Sequence, residues 1–116
     1  MRTLMANENL GERWRYIAFK IEGGTKVPRN DFLGAMIAAS RGTPLANSFR
    51  ITVFEGDFGI LKVPHTLKDD AIKVLNSVDS VRGVACKVVS LKTSGTIRTL
   101  KEKYKEHIGD SLNIVE

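Results

Sequence analysis

Apolar and polar positions alternate along residues 15–22, where Ile17, Phe19 and Ile21 point one way and Tyr16, Ala18 and Lys20 the other. That period of two predicts a first strand. Gly23-Gly24 breaks it, and Pro28 with Asn30 and Asp31 opens a helix whose Phe32, Leu33, Met36 and Ile37 form one apolar stripe, closed by Gly42 and Pro44. Residues 48–55 and 58–63 then read as two strands joined by the Glu55-Gly56-Asp57 turn, and they are expected to pair antiparallel. Pro64 and Thr66 start a second helix. Asp69 follows Thr66 at capping-box spacing, and Leu67, Ala71, Val74 and Val78 supply its buried face. Residues 83–91 read as a fourth strand with two apolar faces: Val84, Cys86 and Val88 on one, Ala85, Val89 and Leu91 on the other. Ser94 or Thr96 caps a last helix in which Ile97, Leu100, Tyr104 and Ile108 recur at helical spacing.

The order β-α-β-β-α-β plus a C-terminal helix predicts an α+β sandwich of the ferredoxin-like kind, four antiparallel strands with two helices on one face. The 116 residues are read as a single domain with an ordered core over residues 13–107 and short tails. Because the fourth strand is apolar on both sides, something must cover part of the second sheet face. The C-terminal helix or a protein partner would do so, and Tyr16, Phe58, Val89 and Leu91 are the candidate partner contacts there.

Charge narrows the class of partner. The chain is 42% hydrophobic and 27% charged, with a net charge of +5 at pH 7. Five cations (Lys92, Arg98, Lys101, Lys103 and Lys105) and two anions (Glu102 and Glu106) between residues 92 and 107 concentrate much of that excess. Arg98, Lys101 and Lys105, at i, i+3 and i+7, would form a stripe able to track a phosphate backbone; the plainer reading is a solvated helix face. Lys103 is a further RNA-binding candidate, and Lys62, Lys92, Arg13 and Arg15 are second-tier ones, each equally readable as a solvated strand-end charge. No apolar stretch is long enough to span a bilayer and no apolar signal segment is evident at the N-terminus, so the expected setting is cytoplasmic, without membrane. Cys86 is the single cysteine and is read as a small buried hydrophobe.

Catalytic constellations are not apparent. His65 and His107 are far apart in sequence, and no Cys/His spacing suits a metal. Asp69 and Asp70 are neighbours on a helix and do not face each other; their natural place is the first turn, where anions complement the helix dipole. Ser94-Gly95 lacks the surroundings of a nucleophile elbow, and the glycines lack phosphate-loop spacing. Among folds of this order the RNA-recognition motif stacks bases on aromatics of its third strand. Here Phe58-Gly59 fits that pattern, but Ile60 and Val63 stand where aromatics are needed. Recognition of phosphates and shape is therefore favoured over reading of single-stranded bases.

Three segments, Arg15-Tyr16-Ile17-Ala18-Phe19-Lys20-Ile21, Gly59-Ile60-Leu61-Lys62 and Ser94-Gly95-Thr96-Ile97-Arg98-Thr99-Leu100-Lys101, occur in that order on these elements. Together they resemble the archaeal ribonuclease P protein component 2 family, related to a subunit shared by eukaryotic ribonuclease P and ribonuclease MRP. The resemblance runs over residues 13–104. It implies a non-catalytic protein subunit of a ribonucleoprotein endoribonuclease, in which RNA-held magnesium performs the hydrolysis that frees the 5′ leader from precursor tRNA. It also implies partners: ribonuclease P RNA, protein component 3, and a second copy of this chain in a homodimer or heterotetramer, with precursor tRNA contacted indirectly. Two departures stand out. The connection over residues 41–47 is shorter than the family's, and Val63-Pro64 replaces a more basic continuation after Lys62, so fewer phosphate contacts are expected there. The alternatives are an RNA-binding or protein-interaction module unrelated to ribonuclease P, and a small-molecule sensor or acyl-group enzyme of the same fold.

Overall fold

A computed structural model describes residues 13–23 and 27–108, with side chains through Glu106. The expectations for the two tails, Gly24, and the side chains of His107 and Ile108 lie outside the described residues. The chain runs β1 (Trp14–Glu22), α1 (Arg29–Ser40), β2 (Arg50–Glu55), β3 (Phe58–Pro64), a 3-10 turn (His65–Leu67), α2 (Lys68–Ser77), β4 (Ser80–Val81), β5 (Val84–Ala85), β6 (Lys87–Ser94), α3 (Ile97–Lys103) and α4 (Lys105–Ile108). Four strands form an antiparallel sheet in the order β2-β3-β1-β6. This is the ferredoxin-like arrangement with an added C-terminal helical segment.

Central position explains why β1 carries little polarity between Tyr16 and Phe19. Ile17 and Phe19 face α1 and α2 in a core with Phe32, Met36, Leu61, Leu75 and Val88, all nearly or fully buried. Ala18 faces the other way and is equally buried, in a second cluster with Phe58, Ile60 and Leu100. The sheet is thus sandwiched between two helical layers. Gly59 pairs with Phe19 across β1 and β3. Its missing side chain gives the Phe19 ring room to lie flat and stack on Phe32, with centroids 5.1 Å apart and planes at 17°.

Several local expectations are corrected. The segment read as one fourth strand is two pieces: Arg82 (φ 52°) and Gly83 (φ 81°) make a tight left-handed turn that closes a β4–β5 hairpin before β6 begins. Val84, on that hairpin, is therefore 45% exposed rather than sharing a face with Val88. A bulge opposite Ala18 and Phe19 makes Leu91 an extra residue in β6, which leaves it 40% exposed. Cys86 is half-buried between β5 and β6; burial, then the charge of Asp79, push its thiol pKa up. Thr66 forms no capping box, because the 3-10 turn moves the N-cap of α2 to Leu67, which has no side-chain cap bond. Ile37 lies at the edge of the α1 stripe and is 43% exposed.

Candidate nucleic-acid interface

The start of the last helix is built as its sequence suggests. Thr96 is the N-cap, its Oγ1 accepting from the Thr99 N–H at 3.5 Å, while Ser94 Oγ accepts from the Thr96 N–H at 3.2 Å. From there α3 crosses the second sheet face. Leu100 is fully buried, Ile97 and Tyr104 pack beside it, and the Tyr104 ring lies 5.2 Å from Phe58. Phe58, proposed from sequence as a partner contact, is wholly buried under this helix and is not available to a partner. Tyr16 is half-buried in the same cluster. The C-terminal helix, rather than a second protein, covers this part of the sheet. Val89 and Leu91 remain on β6, at the sheet edge.

The expected cation stripe does not form. Ile97, Leu100, Lys101 and Tyr104 stand at i, i+3, i+4 and i+7, so Lys101 belongs to the docking face and is only 7% exposed. Its methylene stem suits that position. The helix breaks at Tyr104 (φ −112°, ψ 28°), so Lys105 opens α4 and is not continuous with Arg98. Arg98, Lys103 and Lys105 are exposed, with Lys103 Nζ 5.7 Å from the Tyr104 ring centroid. Lys92 is exposed on β6 opposite Ala18.

Antiparallel pairing gathers another set of cations at one end of the sheet. The start of β1 lies beside the end of β3 (Trp14↔Pro64, Arg15↔Val63, Tyr16↔Lys62), the start of β2 beside Lys62 (Arg50↔Lys62), and the end of β6 beside Tyr16 (Tyr16↔Ser94). Arg13, Arg15, Arg50 and Lys62 therefore share this end with the first turn of α3, which carries Arg98. Arg15 Nη1 donates to the Trp14 carbonyl at 3.1 Å, and the Arg13 carbonyl accepts from the His65 N–H at 2.8 Å. Lys62 Nζ sits 4.5 Å above the Trp14 ring centroid and 6.0 Å from that of Tyr16.

Over residues 15–105 the chain matches the sequence pattern of the Rpp14/Pop5 family. The chain belongs to the Rpp14/Pop5 family. A curated relative, ribonuclease P protein component 2 of Archaeoglobus fulgidus, is 30% identical over 102 residues, covering 84% of this chain and 94% of the relative. A chain in a cryo-EM structure of yeast ribonuclease MRP has the same fold, with a TM-score of 0.60 at 15% identity over 88% of this chain and 96% of the other.

Within this Rpp14/Pop5 chain, the family-like segments 15–21, 59–62 and 94–101 converge through β1, β3 and the start of α3. Part of their shared character is packing: Gly59 seats Phe19, and Leu100 closes the second core. Sequence reasoning missed Trp14 and Arg50. Trp14 is adjacent to a candidate already singled out, and the period of β1 places it with Tyr16. Arg50 reaches the Lys62 side only because a bulge at Thr52 shifts the β2–β3 register. Among the described residues, no group of three or more His, Cys, Asp or Glu side chains could hold a metal.

Proposed function

We propose that this chain is a protein subunit of ribonuclease P that binds and stabilises the catalytic RNA during removal of the 5′ leader from precursor tRNA. Family membership carries the reading, and the basic end of the sheet supplies a physical means: cations that neutralise phosphates release counterions and allow RNA strands to pack closely. Hydrolysis belongs to the RNA and its magnesium, with this chain contributing no catalytic group. Its protein partner is component 3, and two copies of this chain meet within the assembled particle, around a homodimer or heterotetramer. The setting is cytoplasmic; among the described residues no helix is long and apolar enough to cross a membrane.

The relative's name supports the ribonuclease P assignment, and the exposed Arg13, Arg98, Lys103 and Lys105 support contact with a polyanion. Reconstitution of ribonuclease P RNA with component 3, with and without this chain, tests the reading through precursor-tRNA cleavage. Stimulation at limiting magnesium is expected. No stimulation, with the other parts shown competent, would overturn it.

A further inference from the structure

At the basic end of the sheet a cleft of about 450 Å³ opens between the start of β1, the end of β3 and the segment leading into β2. Trp14, Lys62 and Pro64 line it together with Arg50 and the 47–49 segment. The size lies within the range of small-ligand sites, roughly 300–1,000 Å³, and so suits a single nucleotide. Resting on the ribonuclease P reading above, we propose that this cleft takes one unpaired nucleotide of the RNA, its base stacked on Trp14 and its phosphate between Lys62 and Arg50.

Four observations converge on that ligand. Trp14 is 37% exposed, an unusual state for a large aromatic at the start of a central strand. Lys62 Nζ stands 4.5 Å from its ring centroid, so an ammonium and an indole lie side by side in the lining of the cleft. Neither Lys62 nor Arg50 takes part in the ion pairs found among the described residues, which are Lys68–Asp69 and Arg82–Asp31. The two cations face each other as cross-strand partners, so one phosphate can meet both. An indole gives a sequence-tolerant stacking surface to a base whose face is free. A duplex hides those faces in its own stack, so an unpaired or terminal nucleotide is the form that fits. This adds direct base stacking, at the sheet's end, to an interface the sequence suggested would read phosphates and shape alone.

Trp14 is the chain's single tryptophan, so its fluorescence reports on this cleft without labelling. The full chain is titrated with ribonuclease P RNA, with a blunt-ended RNA duplex and with polyglutamate, while anisotropy of labelled RNA measures binding independently. Saturable quenching by ribonuclease P RNA, little by the duplex and none by polyglutamate is expected. Trp14→Ala should weaken RNA binding about ten-fold with an unchanged salt slope, and Trp14→Phe should retain most of the affinity. Arg50→Ala should instead flatten the slope. RNA binding without a change in Trp14 emission would overturn the cleft and leave the ribonuclease P reading standing. Equal quenching by the duplex would reduce the site to phosphate contact, and equal quenching by polyglutamate would assign it to an acidic protein segment; either overturns the proposal. Absence of any RNA binding by anisotropy would overturn both.

Discussion

Replacing Gly59 with alanine would drive a methyl group into the ring of Phe19. An ideal Cβ at this position clashes with Phe19 Cζ and comes within 2.9 Å of Cε2 and 3.0 Å of Cε1. The ring cannot retreat cheaply: it is fully buried, stacked on Phe32 at 5.1 Å and tilted against Phe54 at 6.4 Å. Overpacking of this kind costs about 1–3 kcal/mol. Alanine also restricts the unfolded chain, which offsets about 0.4–1 kcal/mol. A net loss of about 1–2 kcal/mol follows, equivalent to a fall in Tm of roughly 4–8 °C for a domain of this size. Urea unfolding followed by circular dichroism would show it as a lower midpoint with an unchanged slope. The double variant Gly59→Ala with Phe19→Leu should lose less than the sum of the two single losses, because the smaller side chain relieves the clash. Additive losses, or a Gly59→Ala midpoint equal to that of the parent, would refute the reasoning.

Leu100→Ala removes the centre of the second core and should cost about 2–5 kcal/mol, read from thermal unfolding, with the β1–β3 sheet retained in amide exchange. Arg98→Ala should flatten the salt dependence of RNA binding by about 0.7–0.9 log units per log salt, as expected for one lost phosphate contact. Lys101→Ala, at a 7% exposed position, should instead lower the unfolding midpoint with little change in that slope. The Cys86 thiol has a raised pKa, so the unfolded chain ionises first as pH rises. Stability from this group is full below the ordinary thiol range and declines as pH climbs through the folded pKa; alkylation rates against pH should show a midpoint above that of free cysteine.

The alternation of residues 15–22, the Gly56 turn and the periodicity of residues 97–104 were sufficient to set out the α+β order, because each is a local pattern with a single period. The candidate site was less legible. Lys101 looks like part of a cationic stripe when charges are counted. When apolar positions are counted, Ile97, Leu100 and Tyr104 make it a member of the docking face, and burial of that face decides the matter. Phe58 lay on a sheet face that the sequence left to either the C-terminal helix or a partner, and only the packing of Leu100 and Tyr104 against it decides for the helix.

What the sequence alone determined is the order of the main strands and helices and the chain's own net charge of +5, since both follow from local periodicity and composition. Only the tertiary structure decided which cations meet. Glu55, Phe54 and Val53 pair in simple hairpin register with Phe58, Gly59 and Ile60, and continuing it would set Arg50 against Val63, on the core face. The bulge at Thr52, whose Oγ1 donates to the Ile60 carbonyl at 3.1 Å, shifts the register by one. In a strand, one residue of slip exchanges the two faces. Arg50 thereby comes to lie against Lys62 beside Trp14, and a scattered arginine becomes part of a cleft.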